Sequence, residues 1–344
     1  MPPLLLSITL GTMGGIVFYY LCLPLPWTLG PMAVVLVYKL NCDRRVIWPV
    51  KLRNLSFMIL GVVMGSPFTL DTARQILAQW PAIVSSTVAM VICSLGIGYI
   101  THKRSGIDLS SCLLGSVPGG LSQMVLLSLE NPQANTTIVT FMQSARLLAT
   151  IFVVPFLALH GLSDTVIVDL QAAAVSPVAL DVWIITGIAV AAGTAVAVRF
   201  RVPTPWLLGP IISAAVLVCL GMKPLPLPGW LIGAAQVSTG IYMGSNIDMM
   251  SLADNWRSVV FYTLSGVAGI LCCSFVIGYG LQQICGYSLV TAFLGTAPGG
   301  IGEMGLTAMM VQADLSVVIA YQIFRLFFVL LVVPYYLRWQ LQRI

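Results

Sequence analysis

Charge is what this sequence has least of: 8% of its 344 residues are Asp, Glu, Lys or Arg, against 58% hydrophobic. Soluble domains carry roughly 25% charged residues, so a water-facing globular surface cannot be built from this composition. Histidine is nearly absent too, limited to His102 in a basic loop beside Lys103 and His160 at the end of an apolar run. A copper or di-iron oxygenase centre needs His and carboxylate ligands clustered together, so the chain is read as a non-enzyme with neither cofactor nor metal. No polar stretch is long enough to form a soluble reading head, which argues against nucleic acid as a partner. The eight cysteines, at 22, 42, 93, 112, 219, 272, 273 and 285, contain no CxxC pair and fall mostly inside apolar runs. They are expected to be buried packing residues.

What remains is an apolar chain with a mean hydropathy of +0.98. Hydrophobic runs recur along its whole length, as in an integral membrane protein whose partner is the lipid bilayer, and not as in a soluble domain with one anchor. The opening MPPLLLSITLGTMGG lacks a basic leader and runs into a full-length apolar stretch, so it is expected to be the first helix rather than a cleaved signal. Six apolar segments occur in the first half, near 4–21, 28–41, 54–68, 81–101, 110–129 and 136–159. Six more follow near 181–198, 206–221, 229–245, 258–280, 289–311 and 315–337.

The two sets are copies. LGSVPGGLSQM at 114–124 returns as LGTAPGGIGEM at 294–304. At an offset of 179, Pro26, Trp27, Leu29, Gly30 and Pro31 recur as Pro205, Trp206, Leu208, Gly209 and Pro210, and Met64, Gly65 and Ser66 as Met243, Gly244 and Ser245. Gln143, Arg146, Val153, Val154 and Pro155 recur as Gln322, Arg325, Val332, Val333 and Pro334. Shared membrane composition explains matched Leu and Val but not matched Trp, Gln, Arg and Pro. Residues 1–165 and 180–344 are therefore two copies of one unit joined by a linker at 166–179.

Basic loops orient the copies, since Lys and Arg mark the cytoplasmic side. Arg44, Arg45, Lys51 and Arg53 place the loop after the second segment inside, as do Lys103 and Arg104 after the fourth. The linker carries Asp164 and Asp169 without Lys or Arg, whereas Arg199 and Arg201 follow the first helix of the second copy. Five crossings per copy satisfy all of these, and six reverse the last two. The halves are then inverted, each with about five spanning helices and one broken segment, and both termini are expected on the cytoplasmic side.

The broken segments are 110–129 and 289–311. Pro118 and Pro298 cannot continue a helix, and Gly119, Gly120, Gly299 and Gly300 accept a tight reversal. Each segment is either a re-entrant hairpin or an unwound helix that crosses. Irregular backbone at that depth survives where it is buried or lines a polar cavity, and a helix starting at the tip presents free N–H groups that suit an anion. Arg146 and Arg325, one turn after Gln143 and Gln322, sit inside apolar stretches where a guanidinium must find a partner or a wet cavity. Each either faces a ligand or ties the broken segment to its neighbour through loop carbonyls. Ser116, Ser122 and Thr296 add hydroxyls. Glu303, one of only two Glu, stands where the first copy has Gln123. It either binds a coupling ion or bridges to Arg325.

Paired PGG loops, each followed by a Gln-x-x-Arg helix, and the duplicated LGP element resemble the AbrB-type bacterial inner-membrane proteins and their AbrB duplication domain, over essentially the whole chain. The resemblance implies a multi-pass location in the bacterial inner (cytoplasmic) membrane and an all-α polytopic fold related to the cation/proton antiporter and anion transporter group with inverted repeats. Labels carried by that family include an ammonia monooxygenase and a regulator of gene expression. The expected function is a secondary transporter of a small organic anion or weak acid, driven by H⁺ or Na⁺ or working by exchange. The alternative is a membrane-embedded sensor that affects gene expression indirectly. In either case the chain could pair with a second copy as a homodimer.

Overall fold

The structure, a computed structural model, describes residues 3–21, 23–42, 46–118, 121–131, 133–162, 180–246 and 256–336. Among them are fifteen α-helices and no strand. In the first half these are α1 (Pro3–Tyr20), α2 (Pro26–Cys42), α3 (Val50–Gly65), α4 (Leu70–Ala78), α5 (Trp80–Ser105), α6 (Leu109–Ser116), α7 (Leu121–Glu130) and α8 (Thr136–Leu157). In the second they are α9 (Leu180–Arg199), α10 (Pro205–Cys219), α11 (Gly229–Asn246), α12 (Trp256–Cys285), α13 (Leu289–Thr296), α14 (Ile301–Met310) and α15 (Leu315–Leu331). Every expected apolar segment is helical, because backbone N–H and C=O groups in lipid must be satisfied within the segment itself. Five helices are long and apolar enough to cross a membrane, six if the bent pair α3–α4 counts as one span. The protein is a multi-pass, all-α membrane protein.

The chain forms two compact units, and neither is a sequence copy. Unit 1 comprises 1–77, 158–247 and 305–317; unit 2 comprises 78–157, 248–304 and 318–344. Each therefore draws on both halves.

In unit 1, α2 packs on α11 and α10 packs on α3. The contacts rest on two Gly-x-x-x-Gly pairs, Gly61 with Gly65 and Gly240 with Gly244. A Cβ built on Gly61 would lie 2.7 Å from the Leu207 carbonyl oxygen, and one on Gly65 2.4 Å from that of Ile211. On the other side, Gly240 meets the Thr28 oxygen at 2.3 Å and Gly244 the Met32 oxygen at 2.6 Å. All eight positions keep the 179 offset, so one close-packed helix pair has been made twice. The PWxLGP element starts each inner helix with Pro at its first position. It also buries Leu29 and Leu208, at 1% and 0% exposure.

In unit 2, α5 packs on α12. Thr101 and Ile97 face Gly266, Ile97 also faces Gly269, and Cys93 meets Cys273. Numbers fall on one helix as they rise on the other, so the two run antiparallel. Cys93, Ser94, Ile97, Gly98 and Tyr99 recur as Cys273, Ser274, Ile277, Gly278 and Tyr279. Equivalent helices of the two copies thus cross in opposite senses, with equivalent cysteines touching, as inversion about an axis in the membrane plane requires. The cysteines correct one expectation: of the six whose side chains are described, only Cys112 is buried, and Cys272 is exposed. Outward helix faces meet lipid rather than water, so a weakly polar thiol is tolerated there as readily as in the core.

Candidate functional site

Both broken segments have the same construction. An eight-residue helix (α6 or α13) ends at Ser116 or Thr296, and a ten-residue helix (α7 or α14) begins at Leu121 or Ile301. The first helix of each is capped at the same position: Asp108 accepts from the Ser111 N–H at 2.7 Å and Ser288 from that of Thr291 at 3.2 Å. The base of the first segment decides between the two expected shapes. Asn131, just after α7, donates to Ser110 Oγ at 3.3 Å, and the Asn135 N–H donates to Ser111 Oγ at 2.7 Å. A crossing helix of this length would separate those ends by about 30 Å at 1.5 Å per residue. The segment returns to its starting level and is a hairpin. Leu114 and Val117 from its first arm pack with Met124 and Leu127 from its second, against Val91, Val139, Val329 and Val333.

Each break is held by a Gln and an Arg from the helix that follows. Gln143 Nε2 donates to the Leu114 and Val117 oxygens at 2.6 and 3.0 Å, and Arg146 Nη1 donates to Val117 O at 2.7 Å. Gln322 Nε2 donates to Leu294 O at 2.7 Å and Ala297 O at 3.1 Å. Arg325 Nη1 reaches Thr296 O and Ala297 O at 2.9 and 2.7 Å, while Nη2 reaches Gly299 O at 3.1 Å and also Gln322 Oε1. Most of these acceptors, from Leu114 to Val117 and from Leu294 to Ala297, are carbonyls that a helix end leaves without intrahelical donors, and Gly299 O belongs to the loop. Of the two expected roles for the arginines, the structure shows the tie through loop carbonyls. Both guanidiniums are 5% exposed and close enough to each other to interact electrostatically.

Glu303 is the third residue of α14, 6% exposed, and its carboxylate folds back over the break: a Cβ on Gly300 would sit 1.9 Å from Oε2. That is where a Glu or Gln of a capping box sits, and an acid there also suits the positive end of the helix dipole. Gln123 holds the same place in the first copy.

Thr296 spends its hydroxyl on packing, with the Ser274 and Ala292 oxygens at 3.0 Å and Ser274 Oγ at 3.0 Å. Ser116 is buried against Gly98 of α5, whose ideal Cβ would lie 3.1 Å from Ser116 Oγ. Pro298 is buried, and Pro118, Gly299 and Gly300 are half-buried. Gly119, Gly120 and the side chain of Ser122 lie outside the described residues.

Two buried acceptors were not foreseen in full. Gln143 Oε1 and the Thr150 hydroxyl, on one face of α8 with Arg146 between them, find no hydrogen-bond partner among the described residues. Thr150 stands opposite Val329 in the internal alignment, so comparing the copies position by position for polar-to-apolar differences would have found it. Arg146, Arg325 and Glu303 are the only ionisable Asp, Glu, Lys, Arg or His residues among the described buried ones. The breaks thus carry two guanidiniums and one carboxylate, with helix starts, glycines and unfilled acceptors beside them.

Comparison with known proteins gives the same answer as the paired loops. The family model described as "Transition state regulatory protein AbrB" matches residues 27–340. "Uncharacterized protein YhjN" of Bacillus subtilis (strain 168) is 28% identical over 301 residues, covering 83% of this chain and 77% of that protein. "Putative regulator AbrB" of Escherichia coli (strain K12) is 26% identical over 317 residues, covering 91% of this chain and 89% of that protein.

Proposed function

The chain belongs to the family described as transition state regulatory protein AbrB, and from that premise and the paired breaks we propose a secondary transporter of a small organic anion or weak acid. The observation that carries the reading is the buried charge at the breaks, two guanidiniums against one carboxylate. A net positive charge among the described buried residues, held in a low-dielectric interior, favours an anion. Helix starts at Leu121 and Ile301 add N–H groups and positive dipole ends of the same sense. Gln143 Oε1 and Thr150 Oγ1 supply acceptors for an N–H or O–H of the substrate. In this reading the arginines act mainly through the loops, fixing the carbonyls so that the helix starts stay aimed. Glu303 takes H⁺ or Na⁺ as the coupling ion. The protein is neither an enzyme nor a nucleic-acid binder, and it lies in the inner membrane with both termini in the cytoplasm.

A second reading follows from the relative named as a regulator: a membrane sensor that binds the same class of ligand and signals without moving it. Reconstitution separates the two. Purified protein in sealed vesicles should show saturable flux of one or a few small carboxylates, chosen by a thermal-shift screen of carboxylates, amino acids and Na⁺. Ligand stabilisation without flux would overturn the transporter and leave the sensor.

A further inference from the structure

The helix α4 has no counterpart among the segments read from the sequence and none of its residues is buried. It has nine residues, well under the roughly 12–15 at which an isolated helix becomes even marginal in water. Local help is limited to a cap at its start, where Thr69 Oγ1 accepts from the Thr72 N–H at 3.2 Å, and to one solvent-exposed ion pair, which contributes little. The chain itself leaves Ala73 and Ile76 half-buried and Leu70 and Leu77 exposed, so much of the apolar surface of the helix has no cover within the protein.

Its sequence says what covers that surface. At 100° per residue, Leu70, Ala73, Ile76 and Leu77 fall within an arc of about 120°, with Asp71, Thr72, Arg74 and Gln75 on the remainder. Leu70 and Leu77 are 53% and 71% exposed. On the other face Asp71 and Arg74 pair at 3.6 Å with their side chains 93% and 78% exposed. The axis of α4 bends 84° from that of the apolar helix α3. If α3 crosses the bilayer near its normal, α4 runs close to the membrane plane, at the level where acyl chains give way to headgroups.

We infer that α4 is a membrane-surface helix whose Leu70–Ala73–Ile76–Leu77 face is seated in the lipid interface. The opposite charges of Asp71 and Arg74 balance, so the seat is apolar and needs no anionic headgroup. A second copy of the chain is a poorer occupant. The helix is about 14 Å long and offers roughly 150 Å² on that face, against about 800 Å² per partner in a stable interface. Because unit 1 passes to unit 2 between Leu77 and Ala78, the seat anchors the chain where it changes units. The inference stands independently of what is transported.

Spin labels placed singly at 70, 71, 73, 74, 75 and 77, in a chain with its native cysteines replaced, test it in phosphatidylethanolamine–phosphatidylglycerol vesicles. Oxygen access should exceed that of a water-soluble nickel complex at 70, 73 and 77, and the order should reverse at 71 and 75. Uniform nickel access would show a solvated loop, and exclusion of both reagents at 70 and 77 would show a protein partner; either overturns the inference. Should the cysteine-replaced chain not fold, hydrogen exchange of the native chain in vesicles decides the same point. Slowed exchange of amides 73–78 is expected, and exchange at loop rates would refute it.

Discussion

Arg325 bridges three carbonyls that span the second break, and substituting it with lysine keeps the charge while removing the fork. The guanidinium donates to Thr296 O, Ala297 O, Gly299 O and Gln322 Oε1. A lysine ammonium is a compact point donor on a flexible stem, able to reach one or two of these from the same backbone position. Charge-assisted hydrogen bonds contribute about 1.5–3 kcal/mol each. Losing two or three, in a network whose members do not add, places Arg325→Lys about 3–5 kcal/mol below the parent. Unfolding of purified protein by a denaturing-detergent titration, followed by circular dichroism, reads that difference. Hydrogen exchange should also rise in the first turn of α14. Stability within about 0.5 kcal/mol of the parent would refute the clamp. Preserved stability with abolished flux would move the guanidinium from the loop to the substrate.

Four further outcomes are expected. Gly61→Ala and Gly240→Ala drive a Cβ to 2.7 and 2.3 Å from backbone oxygens, so each should lose about 1–3 kcal/mol by overpacking; a neutral result at both would show that unit 1 does not rest on these contacts. Glu303→Gln should keep stability, because Gln suits the same helix position, and should lose gradient-driven accumulation while exchange persists; full accumulation would remove Glu303 from coupling. Mild oxidation with copper phenanthroline should join Cys93 to Cys273 within one chain, and peptide mapping that finds no such crosslink would break the antiparallel register of α5 and α12. Cysteines at Arg45 and Arg201 should be protected from an impermeant reagent in intact cells while one at Asp169 labels; the reverse pattern would sink the inverted topology.

The extent of the fold was legible before any coordinates, for a reason particular to membranes. Lipid forces each spanning stretch to satisfy its own backbone, so composition and length alone located the helices from α1 to α15, and only the nine-residue α4, too short and too polar for that test, escaped it. Duplication was equally legible, because paired Trp, Gln, Arg and Pro at one offset are improbable without descent from one unit. The recurrence of Gly65 as Gly244 is plain in the chain, but the role of Gly61-x-x-x-Gly65 and Gly240-x-x-x-Gly244 as close-packing pairs is not, nor is the contact of Cys93 with Cys273. Small residues carry little periodic signal until a facing backbone gives them a role.

Tertiary structure alone decided three matters. It placed Asn131 and Asn135 on Ser110 and Ser111, which made the first segment a hairpin; a Pro-Gly-Gly break permits either shape, and only the meeting of its ends chooses. It aimed the arginines at loop carbonyls, where the sequence had left a ligand equally open, because a guanidinium's partner is set by which acceptors come within 3 Å. And it divided the chain into units that cut across the two copies. The residues encode where each helix can pack, but which copy supplies the partner is a long-range choice that no local pattern contains.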